Sequence, residues 1–275
     1  MIPRDGHIVL VGCGKMGGAM LTGWLERGLS PGQVLVQEPH PSDEIADQLA
    51  RTGIRRVDQI DASDVTAPPT VVVMAVKPQV MDDVFASVVP RLGSDTVVLS
   101  IAAGRTIASF EALSGPSTPV VRSIPNTPAA IGRGITVCAG NSQVNDHHRD
   151  LCDTLLSALG DVAWVDQEAL IDAATAVSGS GPAYVFLLAE CLADAARAVG
   201  LKSDLAKQLA DATVSGAGEL LRQSDLPAET LRRNVTSPNG TTQAALDVLM
   251  ADDGMKPLLT SAVRAAQKRS EELSR

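Results

Sequence analysis

Ile8-Val9-Leu10-Val11-Gly12-Cys13-Gly14-Lys15-Met16-Gly17 begins as an unbroken apolar run and turns into a G-x-G-x-x-G loop. A strand with no polar alternation belongs in a sheet that is covered on both faces. In the loop, Gly12 permits the tight turn and Gly14 lets the backbone approach a pyrophosphate, while Gly17 lets helix and strand close together. The helix that starts here offers free N–H donors to an anion at its N-terminus. Gly12 to Gly17, with Cys13, Lys15 and Met16 between the glycines, therefore read as the phosphate turn of a dinucleotide-binding fold.

Working outward, short β-branched runs alternate with amphipathic stretches as far as about residue 165. Strands are predicted over His7 to Val11, Gln33 to Gln37, Val71 to Val76, Thr96 to Ile101, Pro119 to Ser123, Gly134 to Ala139 and Val162 to Val165. Helix-like segments between them include Lys15 to Arg27, Asp43 to Arg51, Val80 to Val89 and Asn145 to Leu159. This is the pattern of a mostly parallel α/β sheet with helices on both faces. Beyond about residue 168 only helical periodicity remains, over Pro182 to Val199, Asp204 to Arg222, Ala228 to Asn234, Thr241 to Met250 and Pro257 to Leu273. Two domains are expected: residues 1–168 as an N-terminal Rossmann-type dinucleotide-binding domain and residues 169–275 as an all-helical one. In the first of these last helices Glu190, Asp194 and Arg197 share one stripe and the rest is apolar almost all round. Such a surface asks for burial against several helices, which a second copy of the chain would supply, so a homodimer or larger ring is expected.

Composition removes other classes. The formal charge is -9 and aromatics make up 2% of the 275 residues, which argues against a nucleic-acid partner. Ile8 to Val11 is too short for a leader core, Asp5 spoils its basic flank, and no later stretch reaches ~18 uninterrupted apolar residues, so no membrane partner is expected. The cysteines Cys13, Cys138, Cys152 and Cys191 form no CxxC pair and suit a reducing, cytoplasmic setting. Cys138, His147, His148 and Cys152 are the one faintly metal-like group; zinc spacing is not met and solvated loop histidines are the simpler reading, so no metal is expected.

The end of the second strand chooses between a ribose hydroxyl and a 2′-phosphate. Glu38 suits the hydroxyl; His40 suits the phosphate, with Arg51, Arg55 and Arg56 not far off in sequence. The residues conflict, and NADPH or NADH is expected as cofactor. Ala75-Val76-Lys77-Pro78 and Ser100-Ile101-Ala102-Ala103-Gly104 follow later strands and should line the same path. Pro125-Asn126-Thr127-Pro128 makes a rigid turn whose Asn126 is placed to face the nicotinamide ring or the substrate.

These blocks, with Ser178-Gly179-Ser180-Gly181-Pro182-Ala183-Tyr184 and Asn234-Val235-Thr236-Ser237-Pro238-Asn239-Gly240-Thr241-Thr242, make the chain resemble the pyrroline-5-carboxylate reductases over nearly its whole length. The resemblance implies reduction of a cyclic imine, 1-pyrroline-5-carboxylate, to L-proline by NAD(P)H, the last step of proline biosynthesis. It also implies a helical dimerisation domain, and dimers that often assemble into decamers. It assigns Gly12 to Gly17, Ala75 to Pro78 and Ala102 to the cofactor and places Glu168 close to it. Asn234 and Ser237 to Thr242 go to the substrate, with Asn239, Gly240 and Thr241 in the loop and Thr242 as hydrogen-bond partner or proton donor at the ring nitrogen. Two departures stand out: Asn239 replaces a glycine of the signature, and Glu38 and His40 replace a neutral and a small hydroxyl residue.

Hydride transfer to an already protonated imine needs little acid-base apparatus, and the work falls to orientation and burial. The loop before Thr241 could grip a carboxylate with free N–H groups; the plainer alternative is that Thr241 and Thr242 cap a helix. A β-hydroxyacid dehydrogenase with the same glycine loop would use a lysine on the first helix after the nucleotide domain, yet no lysine occurs between Lys77 and Lys202. A non-catalytic NAD(P) sensor would have no use for the substrate loop.

Overall fold

The structure, a computed structural model, describes residues 7–274; residues 1–6, which include Asp5, and residue 275 lie outside the described residues. Strands β1 (Ile8–Val11), β2 (Val34–Gln37), β3 (Arg55–Val57), β4 (Val71–Met74), β5 (Val97–Ser100), β6 (Val120–Ile124), β7 (Gly134–Gly140) and β8 (Gly160–Trp164) form one sheet. Their order is β3-β2-β1-β4-β5-β6-β7-β8. Every neighbouring pair is parallel except β6 and β7. Helices α1 (Lys15–Glu26), α2 (Asp43–Thr52), α3 (Met81–Val88), α4 (Ile107–Ser114) and α5 (Asp146–Leu156) cover it.

The unbroken apolar strands are explained by the two cores. Ile8 and Leu10 point to one face, where Met20, Leu21 and Trp24 of α1 and Leu155 of α5 pack. Val9 and Val11 point to the other, against Met81 and Phe85 of α3 and Phe110 of α4. Val71 and Val73 divide from Val72 and Met74 in the same way. Each such side chain contributes about 1.5–3 kcal/mol on full burial. Phe85 and Phe110 meet edge-on with centroids 5.0 Å apart, which joins α3 to α4.

An edge strand and a helix of the sheet domain were not anticipated. Arg55–Val57 adds an edge strand whose first two residues are exposed arginines, so no apolar run announces it. Ile107–Ser114 is a helix capped by the Thr106 hydroxyl, which accepts from the Ser109 N–H at 3.3 Å. His148, read as a solvated loop residue, is instead 2% exposed. Its Nδ1 accepts from Asn145 N–H at 3.3 Å and its Nε2 lies 3.2 Å from Asp95.

The chain falls into two compact units, one running up to Gly179 and including the segment from Gln267, the other Ser180–Ala266. In the first, α6 (Leu170–Ala174) runs into a π-helical turn, Thr175–Gly179. In the second, α7 (Gly181–Ala198) packs on α8 (Ser203–Gln223), followed by α9 (Ala228–Asn234) and α10 (Thr241–Leu249). The last helix, α11 (Met255–Leu273), begins in the second unit and ends in the first. Within α7 only Ala193 is buried, while Phe186 is 63% exposed and Leu187 57%. By length and composition alone the helical run Leu170–Ala198 is long and apolar enough to cross a bilayer, and it still holds no uninterrupted apolar run of the length counted in the sequence. Glu190 and Asp194 break its apolar surface.

Trp24 tests how the helices hold the sheet. It is fully buried and its indole N–H donates to the Leu155 carbonyl at 2.8 Å. Trp24→Phe is expected to cost about 1–3 kcal/mol through the lost bond, and Trp24→Ala about 3–5 kcal/mol through the cavity, in urea unfolding followed by circular dichroism.

Candidate functional site

Strand order reverses direction at β1, since the chain goes from β1 outward to β2 and β3 and then returns to β4 on the other side. In an open parallel sheet that reversal leaves a crevice at the carboxyl ends of the strands. Four loops meet there because their strands are parallel, and backbone bonds stitch them together. Gly12 N–H donates to the Gln37 carbonyl at 2.8 Å, Ala75 N–H to the Val11 carbonyl at 2.8 Å and Ile101 N–H to the Met74 carbonyl at 3.1 Å. The result is a cleft of ≈ 770 Å³ whose walls include Gly12, Gly14, Glu38, His40, Val76 and Lys77.

The glycines fit their expected tasks. Gly12 has φ +92°, and a Cβ there would stand 2.8 Å from the Ala75 carbonyl carbon. At Gly17 a Cβ would run into the Gly12 carbonyl oxygen. At Gly14 it would meet nothing within 4 Å, which leaves the backbone face open toward the cleft. Gly14 is also the N-cap of α1 and supplies no side-chain cap, and the first turn carries no acidic residue. That combination fits a pyrophosphate: open backbone, free donors and no local negative charge on the helix.

Of the other expected cofactor residues, Cys13 is buried under the loop. Burial, and then the neighbouring Glu38 carboxylate, push its thiol up to about 12, so it stays neutral. Lys15 is exposed on α1 in an adjoining groove, and Met16 packs partly against the core. Ala75 and Lys77 line the cleft wall, and Pro78 opens the short helical turn that follows it. Ala102 sits in the core, 6% exposed, with its N–H donating to the Ser100 hydroxyl at 3.3 Å.

Two further expected residues are tied into the fold by hydrogen bonds. Asn126 was expected to face the ring or the substrate, but both ends of its amide are spent inside the fold. Its Oδ1 accepts from Ile135 N–H at 2.9 Å and its Nδ2 donates to the Ser178 carbonyl at 3.1 Å, within the π-helical turn. Glu168 accepts from the Ile107 N–H at 2.8 Å and from Arg122 at 3.0 Å. Arg122 is 2% exposed and continues to Ser274 at 3.3 Å and Asp172 at 3.6 Å, while Ser270 donates to Asp172 at 2.7 Å. Sequence reasoning missed this buried network; its one signal is an arginine in the middle of the strand Val120–Ile124, every residue of which is buried.

In the helical unit, Asn234 ends α9 and the next residues make a tight turn before α10. Gly240 N–H donates to the Ser237 carbonyl at 3.0 Å. Pro238 and Asn239 occupy its centre, and Asn239 has φ +56°, the position where a type II turn wants glycine or asparagine. Asparagine thus takes the left-handed conformation required at the departure from the family signature. Gly240 is the N-cap of α10 and no side chain caps it. Thr241 and Thr242 fall inside the first turn instead, so the capping alternative does not describe this helix and its leading N–H groups stay open.

Residues 168–273 match the family description "Pyrroline-5-carboxylate reductase dimerisation", and residues 7–104 match "NADP oxidoreductase coenzyme F420-dependent". The pyrroline-5-carboxylate reductase of Pseudomonas aeruginosa is 39% identical over 270 residues, 98% of this chain and 97% of the relative. The chain belongs to the pyrroline-5-carboxylate reductase family. The reductase of Synechocystis sp. is 38% identical over 97% of both chains. Among solved structures, the Coxiella burnetii pyrroline-5-carboxylate reductase superposes with a TM-score of 0.91 at 32% identity, covering 99% of this chain and all, 100%, of that one. The Plasmodium falciparum pyrroline carboxylate reductase with NADP bound gives 0.78 at 28% identity, with 99% of each chain covered. The eight-stranded α/β sheet followed by helices is the architecture expected of a family member.

Gly17→Ala is expected to displace the loop by about an ångström and raise the dissociation constant for reduced nicotinamide dinucleotide about tenfold or more, measured by fluorescence titration.

Proposed function

We propose that this chain reduces 1-pyrroline-5-carboxylate to L-proline with NAD(P)H, the last step of proline biosynthesis. The observation that carries the reading is the combination, in one family member, of an open glycine-loop cleft with an uncapped helix preceded by the Ser237–Gly240 turn. Gly12 to Gly17 hold the pyrophosphate, Ala75, Val76 and Lys77 with His40 line the cofactor path, and Pro78 opens the turn that follows them. Ala102, Asn126 and Glu168 act from behind this path, by fixing the loops through the bonds described above.

When bound, the reduced nicotinamide supplies the hydride that adds to the imine carbon. The chain's own residues supply orientation. Asn234, Ser237, Asn239 and Gly240 shape the loop, and the first N–H groups of α10, with the positive end of its dipole, hold the substrate carboxylate. Thr241 continues that turn. Thr242 places its hydroxyl at the ring nitrogen and keeps the iminium proton directed, so the carbon beside it stays electrophilic as the hydride arrives. The proton remains on nitrogen and becomes the N–H of proline, which balances the reaction without a strong acid in the protein.

The same reading makes the protein a homodimer, with a decamer as the larger assembly. Val185, Phe186, Leu187 and Leu188 on α7 leave an apolar surface of the kind that marks an interface. A second copy covers it better than a bilayer does, since Glu190, Asp194 and Arg197 interrupt the helix within a few turns. Cys13, Cys138, Cys152 and Cys191 are unpaired, which supports a reducing, cytoplasmic location.

Two measurements test this. Oxidation of NADH and NADPH with pyrroline-5-carboxylate must exceed the background rate, and Thr242→Ala should lower kcat/KM more than about tenfold with cofactor affinity within about twofold of the parent. Equal loss of cofactor binding would remove Thr242 from its role. Phe186→Asp should shift the protein toward monomer in analytical ultracentrifugation, because a charge cannot be buried unpaired at an apolar interface.

A further inference from the structure

Among the described residues, Glu38 is the acidic side chain that bonds into the glycine loop itself. Its Oε2 accepts from the Cys13 N–H at 2.8 Å and its Oε1 from the His40 N–H at 3.0 Å. A side chain held at both oxygens cannot swing away when a ligand enters, and the backbone beneath it is fixed too. Glu38 N–H donates to the Val57 carbonyl at 3.1 Å, and the Glu38 carbonyl accepts from Arg56 at 2.6 Å.

The arginines that could have reversed the choice are committed. Arg56 also reaches Asp58 at 2.8 Å. Arg55 pairs with Asp64, and Arg51 bonds back to the Asp47 carbonyl of its own helix at 3.3 Å. His40 contributes its main-chain N–H to Glu38, which strengthens the carboxylate's hold on its position.

We propose that Glu38 makes this reductase select NADH over NADPH, its anchored carboxylate accepting the free ribose hydroxyls and repelling a 2′-phosphate. A carboxylate at the end of the second strand is where a dinucleotide fold reads the adenosine ribose. Two anions forced together oppose each other strongly, and Arg55 and Arg56 on the neighbouring strand already face carboxylates of their own. The inference rests on the reading of the cleft as a nicotinamide dinucleotide site and adds to it which of the two dinucleotides the site favours.

The test is equilibrium binding without substrate, by dinucleotide fluorescence at fixed pH and ionic strength. The parent protein should bind NADH about tenfold or more tightly than NADPH. In competition against NADH, adenosine 2′,5′-bisphosphate should displace it no better than AMP does. Glu38→Gln should bring the two dissociation constants to within about threefold, since it removes the charge and keeps the shape. NADPH binding as tightly as NADH, or the bisphosphate competing better than AMP, overturns the proposal, whether or not the variant folds. An unchanged ratio in folded Glu38→Gln also overturns it. Failure to bind either dinucleotide removes the cofactor reading and the selectivity together, whereas equal binding of both removes the selectivity alone.

Discussion

The turn at Gly12 is the constraint on which the first unit depends. Its φ of +92° and its closeness to the Ala75 backbone allow β1 to end within bonding reach of β2 and β4 at once. Without that turn the reversal of strand order would leave a gap at the sheet edge. With it, the loops after β1, β2, β4 and β5 form one wall, and α1 starts with its donors aimed along it. The two apolar faces of the sheet then hold this edge rigid, because every residue of β1 is packed on one side or the other. Binding at such an edge needs little reorganisation, which is what a preorganised anion site requires.

Much of this was legible in the residues. Strand positions followed from continuous apolar runs and helix positions from spacing, since β1, β4 and β5 are wholly buried and α1 carries its apolar stripe toward them. Arg55–Val57 escaped because an edge strand of exposed arginines has no apolar signature. The conflict at Glu38 and His40 could not be resolved by spacing. The donors that the carboxylate accepts from, the Cys13 and His40 N–H groups, are brought to it by tertiary folding. Asn126 shows the opposite lesson: a polar residue at a strand end looks like a ligand group until its amide is found bonded to Ile135 and Ser178. The substrate loop keeps its turn at the departure from the family pattern, since Asn239 adopts the positive φ that glycine would take there. Its role came from the family pattern.

The helical unit follows different physics. A sheet buries its apolar residues within one chain, but α7 keeps Val185, Phe186 and Leu187 on the outside, and α8 adds Leu220 and Leu221. An isolated copy with that surface is poorly suited to water, so association and folding of this unit are thermodynamically linked.

The buried Arg122 carries a consequence for how the protein is made. Its surroundings come from both sides of the helical unit in sequence: Glu168 and Asp172 precede that unit, while Ser274, which accepts from Arg122, and Ser270, which donates to Asp172, follow it. A nascent chain leaving the ribosome will therefore have exposed the whole glycine-loop sheet long before the serines emerge. Until they do, the guanidinium lacks part of its hydrogen-bonded surroundings, and completion of the glycine-loop unit waits on residues translated after the helical unit.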